Sequence, residues 1–258
     1  MSCINDIFDR PGHKALIAYL TVGYPDVDTT LKAAMLLADS GCDLIELGIP
    51  FSDPLADGAT IQQASFQALR NGVTPRVCLD VAGEFVRKTD IPLVFMSYLN
   101  PVMRYGGSFV REARRAGVAG LIIPDLPPDE GGELEAIAIE EGLDLIYLLA
   151  PNSSPARVRL VAARSRGFIY LVSLQGVTGA RIALSGDLED FIDRVRAVTT
   201  TPLCVGFGIS TPGQARQATA LADGVIIGSR ILQLIAEDAS LRSLERFIKD
   251  VRREIDRL

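Results

Sequence analysis

A helical stretch that stops at a glycine and passes at once into four to six apolar residues recurs along the chain. It reads DSGCDLIELG at 39–48, RAGVAGLIIPD at 115–125, EEGLDLIYLLA at 140–150 and LADGVIIGS at 221–229. Glycine is the residue that most readily takes the left-handed turn that ends a helix. The compact apolar run after it is what a parallel strand covered on both faces looks like. Four further apolar runs, ALIAYLT at 15–21, PLVFMSYL at 92–99, FIYLVSL at 168–174 and PLCVGFGI at 202–209, bring the expected strands to eight. Amphipathic segments lie between them, and a long amphipathic stretch closes the sequence. Eight strand–helix units in 258 residues predict a (β/α)8 TIM barrel, an α/β fold, as a single domain over residues 1–258. No Pro/Ser linker divides the chain, and the G-x-G-x-x-G dinucleotide fingerprint of an open sheet is absent.

Composition narrows the function classes. The chain is 48% hydrophobic and 22% charged, enough to bury a large core. A net charge of -6 and a pI near 5.0, with no dense Lys/Arg run, give no footprint for nucleic acid. The start, MSCINDIFDRPGHK, is too charged for a secretory signal, and no apolar run reaches membrane-spanning length, so the expected location is the cytoplasm. Cys3, Cys42, Cys78 and Cys204 show no CxxC spacing, and His13 is the sole histidine. Zinc sites, disulfide frameworks and histidine triads are therefore not expected. Proton chemistry must rest on Asp, Glu, Tyr, Lys or Cys.

One strand departs from the apolar pattern. In LIELGI, alternation puts Leu44, Glu46 and Gly48 on one face and Ile45, Leu47 and Ile49 on the other. The wholly apolar set suits the helix layer, which turns Glu46 into the barrel. An internal ion pair is the alternative, but no Lys or Arg stands in the other strand cores to supply it. Burial should raise the pKa of Glu46 and suit it to proton exchange near neutrality. Asp53 and Asp57 follow in FSDPLADG, within one of two long strand-to-helix loops, at about 50–60 and 174–187. Both loops belong on the C-terminal rim, where barrels hold their chemistry. A turn former or helix cap is the plain alternative for either aspartate.

Late glycine turns, GVTGA at 176–180, GFGIS at 206–210 and IGSR at 227–230, allow close backbone approach, and the last two open helices. Loops after the seventh and eighth strands commonly hold a phosphate in barrels, which makes a phosphate monoester pocket the expectation here. Tyr170 alternates with Phe168 and Val172 and shares the expected cavity, with a core tyrosine as the alternative reading. Asp125, just past the fourth strand, reads most simply as a helix-start residue.

ELGIPFSDPLADG resembles the signature of the tryptophan synthase alpha chain family, and AYLTVGYP, MSYLNPV, IIPDLP, YLVSLQGVTGAR, VGFGIS and IIGSR follow in that family's order. The resemblance implies retro-aldol cleavage of indole-3-glycerol phosphate to indole and glyceraldehyde 3-phosphate, with no metal or organic cofactor in this chain. It implies that Glu46 is the catalytic acid/base and that Asp57 bonds the indole ring N–H. By the same resemblance Tyr19, Ile61, Met96 and Ile122 wall the indole with Tyr170 beside it, Gly179, Phe207, Gly208, Gly228 and Ser229 bind the phosphate, and Thr178 meets Asp57. A beta chain carrying pyridoxal phosphate is the implied partner, in an alpha-beta-beta-alpha heterotetramer, met by Asp53, Asn100 and Pro127. Leu174 and Gln175 stand where some members carry Arg or another polar residue, and Tyr19 and Met96 where some carry Phe and Leu. A stand-alone lyase, a silent activating subunit and a phosphosugar isomerase are the rival readings.

Overall fold

A computed structural model describes residues 4–172, 186–206 and 208–258. Its strands are β1 (Ala15–Thr21), β2 (Leu44–Gly48), β3 (Leu93–Met96), β4 (Gly120–Ile122), β5 (Asp144–Ile146), β6 (Leu148–Leu149), β7 (Ile169–Val172), β8 (Leu203–Gly206) and β9 (Gly224–Ile227). The helices are α1 (Asn5–Phe8), α2 (Val27–Asp39), α3 (Ala59–Arg70), α4 (Pro75–Val86), α5 (Leu99–Tyr105), α6 (Phe109–Arg115), α7 (Gly132–Glu141), α8 (Pro155–Arg164), α9 (Gly186–Arg196), α10 (Pro212–Leu221), α11 (Ser229–Glu237) and α12 (Arg242–Ile255). The strands form one parallel sheet in the order β5-β4-β3-β2-β1-β9-β8-β7-β6, a nearly closed α/β barrel.

Nine segments replace the eight expected strands because the fifth divides at Tyr147. Its first part pairs only with β4, through Gly120 to Asp144 and Ile122 to Ile146, and its second only with β7, through Leu148 to Tyr170. At the division, the Tyr147 amide donates to Ser165 Oγ at 3.1 Å, while its carbonyl accepts the Tyr170 amide at 3.0 Å. The backbone partner on one side has been exchanged for a serine hydroxyl, so the ladder passes from one neighbour to the other at that residue.

Alternation sorts the core into two layers. Leu16, Ala18, Ile45, Leu47, Phe95, Leu121 and Val205 pack outward with helix residues such as Leu37, Phe85 and Ile248. Ile17, Tyr19, Leu44, Val94, Met96, Ile122, Ile146, Phe168, Tyr170, Cys204 and Ile226 fill the barrel. The helices start where the sequence supplies caps: Asp26, Thr74 and Ser154 each accept an amide of the first turn.

Three of the four glycines in the recurring unit take the left-handed turn expected of them, Gly41, Gly117 and Gly142, with φ of 102°, 86° and 72°. The fourth does not. Gly224 is the first residue of β9, and a Cβ there would stand 2.8 Å from Ala15 Cβ and 2.9 Å from Cys204 Sγ. Crowding at the narrow barrel floor, rather than a helix stop, requires glycine at that position.

At the N-terminal end of the barrel, Asp43 is 9% exposed and joins both ends of the chain. Its carboxylate accepts from Arg10 at 2.8 Å, His13 Nε2 at 2.7 Å, Arg252 at 3.2 Å and the Leu16 amide at 2.9 Å. The sole histidine therefore belongs to a structural network. No helix among the described residues is long and apolar enough to cross a membrane.

Candidate active site

Glu46 lies in the middle of β2 with its side chain inside the barrel, between Tyr19 of β1 and Val94 of β3 in the strand register. It is fully buried, and neither carboxylate oxygen meets a hydrogen-bond partner among the described residues. An unpaired carboxylate in such surroundings is held in its neutral form. Burial, followed by the field of Asp57, pushes its pKa up from 4.5 to about 8. The ion-pair alternative is set aside for the described residues, since no Lys, Arg or His bridges to Glu46 there.

Asp57 ends the loop between β2 and α3. The helix cap that follows is Gly58, whose side chain cannot cap, so Asp57 is not spent on starting α3. Its Oδ1 is buried without a partner. Burial pushes its pKa up from 3.8 to about 6, against the lowering effect of the neighbouring Tyr98 hydroxyl. Near neutrality the two carboxyls differ: Glu46 keeps its proton and Asp57 is ionised.

The apolar side chains named for the indole share one packed cluster. Tyr19, Ile61, Met96, Ile122 and Tyr170 all belong to the inner cluster, Ile61 reaching it from the first turn of α3. Both tyrosines bend across strand glycines. A Cβ at Gly48 would meet the Tyr19 hydroxyl at 2.2 Å, and one at Gly206 would meet that of Tyr170 at 2.4 Å. The glycines that shared an inward face with Glu46 and followed Cys204 are thus the floor on which the rings lie. Burial raises both phenols well above their usual range, with Glu46 and Asp57 among the further causes.

The two helix starts beside the late glycine turns are built differently. α10 begins with a complete capping box, Thr211 accepting the Gln214 amide at 3.3 Å while Gln214 Oε1 accepts the amides of Ser210 and Thr211. Those donors are already engaged. α11 begins at Gly228 with no side-chain cap, leaving its first-turn amides, including that of Ser229, available to an anion. Gly228 lies against the Tyr19 ring, since a Cβ there would stand 3.2 Å from it. Gly208 is exposed just beyond β8, with φ of 74°. Thr178, Gly179 and Phe207 lie outside the described residues, as do Leu174 and Gln175.

Asp53, Asn100 and Pro127 follow three adjacent strands, β2, β3 and β4, on the same rim. Asp53 and Asn100 are exposed and Pro127 is half-buried. Leu55 at 92% and Met103 at 62% exposure add apolar surface to this rim. Beside it a cleft of about 410 Å³, lined by Met96, Pro124, Pro127, Tyr147, Leu149 and Val172 among others, opens from the barrel mouth. Asp125 does start a helix, but across the rim: its Oδ1 accepts the Leu99 amide of α5 at 2.8 Å. Tyr98, to which sequence reasoning assigned no role, sits at that helix start within hydrogen-bonding reach of the acidic loop.

The family model of the tryptophan synthase alpha chain matches residues 8–256. The chain belongs to that family. A tryptophan synthase alpha chain from Dehalococcoides mccartyi is 56% identical over 257 residues, 99% of this chain and 100% of its own. One from Lactiplantibacillus plantarum is 42% identical over 258 residues, 99% of this chain and 97% of its own. Among solved structures, the ligand-free tryptophan synthase of M. tuberculosis matches with a TM-score of 0.91 at 38% identity, covering 99% of this chain and 100% of that one. The tryptophan synthase subunit alpha of Legionella pneumophila matches with a TM-score of 0.91 at 33% identity, covering 100% of both chains. As a tryptophan synthase alpha subunit, the chain is a carbon–carbon lyase that cleaves indole-3-glycerol phosphate to indole and glyceraldehyde 3-phosphate. Membership as an alpha chain implies a beta-chain partner.

Proposed function

We propose that Glu46 and Asp57 divide the work of this cleavage between a proton donor and an anion. The neutral carboxyl of Glu46 gives its proton to indole C3, which makes the ring a cationic indolenine. Asp57, ionised, accepts the ring N–H and stabilises that positive charge. The Glu46 carboxylate then takes the proton of the glycerol hydroxyl next to the scissile bond. As the carbonyl of glyceraldehyde 3-phosphate forms, the bonding pair returns to the ring, indole leaves and Glu46 has recovered its proton. The observation that carries this reading is a buried carboxyl and a half-buried one with no cation beside them among the described residues, the first held neutral up to about pH 8 and the second ionised above about pH 6.

Tyr19, Ile61, Met96, Ile122 and Tyr170 wall the indole in this reading, and Gly208, Gly228 and Ser229 receive the phosphate with Gly179 and Phe207. In this reading Thr178 meets Asp57. Asp53, Asn100 and Pro127 meet the beta chain in an alpha-beta-beta-alpha assembly in the cytoplasm, and residues 1–258 act as one barrel domain. The exposed Leu55 and Met103 on that rim favour a docked subunit over a stand-alone lyase. Among the described residues no group of three His, Cys, Asp or Glu could hold a metal ion. We assign pyridoxal phosphate to the beta partner and no cofactor to this chain. An indole-release assay on the purified chain, with and without a beta subunit, tests the whole: activity that rises on adding the partner is expected. High turnover unaffected by the partner would favour the autonomous lyase, and none in either case the silent activator.

A further inference from the structure

We propose that Tyr98 is a positioning residue for Asp57, fixing the acidic loop over the barrel mouth through its hydroxyl group. This rests on the reading of Asp57 as the partner of the indole N–H. Tyr98 lies two residues beyond β3, forms the N-cap position of α5 and is 5% exposed. Its hydroxyl oxygen accepts the Ala56 amide at 2.9 Å, so the hydroxyl proton is free to serve the carboxylate of the next residue, Asp57. Its ring packs on Phe51, with centroids 5.3 Å apart. One side chain thus touches the loop at its entry and again at its end.

The loop has little else to hold it. Its own bonds are local: the Leu55 amide to the Asp53 carbonyl at 3.0 Å, the Asp57 amide to the Pro54 carbonyl at 3.0 Å, and the Ser52 hydroxyl to Asp53. Among the described residues, two bonds tie its far end to the barrel: the Gln62 side-chain amide of α3 donates to the Asp57 carbonyl at 2.9 Å, and the Ala56 amide donates to the Tyr98 hydroxyl just beyond β3. Tyr98 is itself held from behind, where Asp125 takes the Leu99 amide at 2.8 Å and the Ser97 hydroxyl donates to the Tyr98 carbonyl at 3.0 Å. A hydroxyl on a ring fixed in this way presents its proton at one place, which is what orientation of a catalytic group requires.

Among the described residues, the groups coupled to Asp57 are Tyr19 from β1, Glu46 from β2, Tyr170 from β7 and Tyr98 from the start of α5. None carries a positive charge. Of this set, only the Tyr98 hydroxyl favours the ionised carboxylate. Removing it has a defined sign: Asp57 binds its proton more readily, and the acid limb of the pH profile moves to higher pH.

The experiment measures cleavage of indole-3-glycerol phosphate by the full chain with a beta subunit present, for Tyr98→Phe, Asp57→Asn and the double variant. Phenylalanine keeps the packing on Phe51 and removes only the hydroxyl. Tyr98→Phe is expected to lower kcat roughly 10-fold, leave KM within about twofold and raise the acid limb. In the Asp57→Asn background it should cost nothing further, because its effect runs through Asp57. An unshifted acid limb in Tyr98→Phe beside an inactive Asp57→Asn overturns the proposal and leaves the reading of Asp57 standing. So does a Tyr98→Phe loss that multiplies with that of Asp57→Asn. Full activity in Asp57→Asn removes the reading of Asp57, and the role of Tyr98 falls with it.

Discussion

Glu46 holds its proton more tightly because Asp57 lies within its field, an effect second only to the burial of Glu46 itself. Among the described residues neither carboxyl meets a cation, so each proton lost from one makes the next harder to remove. The pair is poised with one proton between two carboxyls across the neutral range.

The first expectation is a bell-shaped profile of kcat/KM. Asp57 must be ionised, so the rate climbs as pH rises through about 6, and Glu46 must be protonated, so it falls above about 8. Asp57→Asn should lower kcat roughly a hundredfold and abolish the acid limb while keeping the alkaline one. Steady-state rates from pH 5 to 9 check this; a rate still rising beyond pH 9 would contradict the role of neutral Glu46.

Glu46→Gln should lose activity and gain stability. General acid–base catalysis accounts for its expected loss in kcat, roughly a thousandfold. For stability, the folded pKa of about 8 stands above the unfolded value of 4.5, so the folded state of the native chain is favoured at low pH and loses ground as pH rises from 4.5 to 8. Glutamine has no proton to lose and escapes this penalty. At 1.36 kcal/mol per pH unit, its advantage over the native chain reaches on the order of 3 kcal/mol by pH 7 and vanishes near pH 4. Urea titrations at the two pH values measure it.

Much of this was legible beforehand, for reasons that differ by element. The barrel followed from short apolar runs set between amphipathic segments, and Glu46 from period-two alternation, because parallel strands buried on both faces tolerate a carboxylate poorly. The division at Tyr147 was not legible, since DLIYLLA carries one unbroken apolar pattern and the substitute partner, Ser165, lies in a different unit. Tyr98 escaped for a similar reason. Its hydroxyl meets Ala56, 42 residues away, and nothing local distinguishes it from a core tyrosine. The capping box of α10 could have been read from Thr211 and Gln214, whose spacing is that of the motif.

Gly48→Ala should disturb the site through Tyr19. The new methyl group would fall 2.2 Å from the Tyr19 hydroxyl oxygen and 2.6 Å from the ring carbon that bears it. The ring must then leave its bed, towards Gly228 on its other side. A loss of about 1–3 kcal/mol is expected from overpacking, together with a raised KM. Thermal unfolding and steady-state kinetics report the two effects separately; unchanged KM would mean that the ring does not border the substrate.

Asp43→Ala should destabilise without touching the chemistry. It leaves the Arg252 side chain, 14% exposed, without one of its carboxylates and releases Arg10, His13 and the Leu16 amide at once. Breaking such a buried pair costs about 3–5 kcal/mol. The folded fraction should turn over at the native rate, because Asp43 precedes β2 at the end of the barrel away from the mouth. A kcat that fell with stability would contradict that separation.

The division at Tyr147 leaves a gap in the strand ladder that is bridged by the Arg166 amide on the Leu145 carbonyl at 3.1 Å and the Tyr170 amide on the Tyr147 carbonyl at 3.0 Å. From β5 round through β1 to β6 the ladder is continuous, and β1, which carries Tyr19, stands at the middle of that arc, farthest from the gap. Glu46, Met96, Tyr170 and the approach to Gly228 are all carried on the same arc. The spacing between proton donor, ring wall and anion corner is therefore kept by an unbroken run of backbone bonds that does not pass through the division.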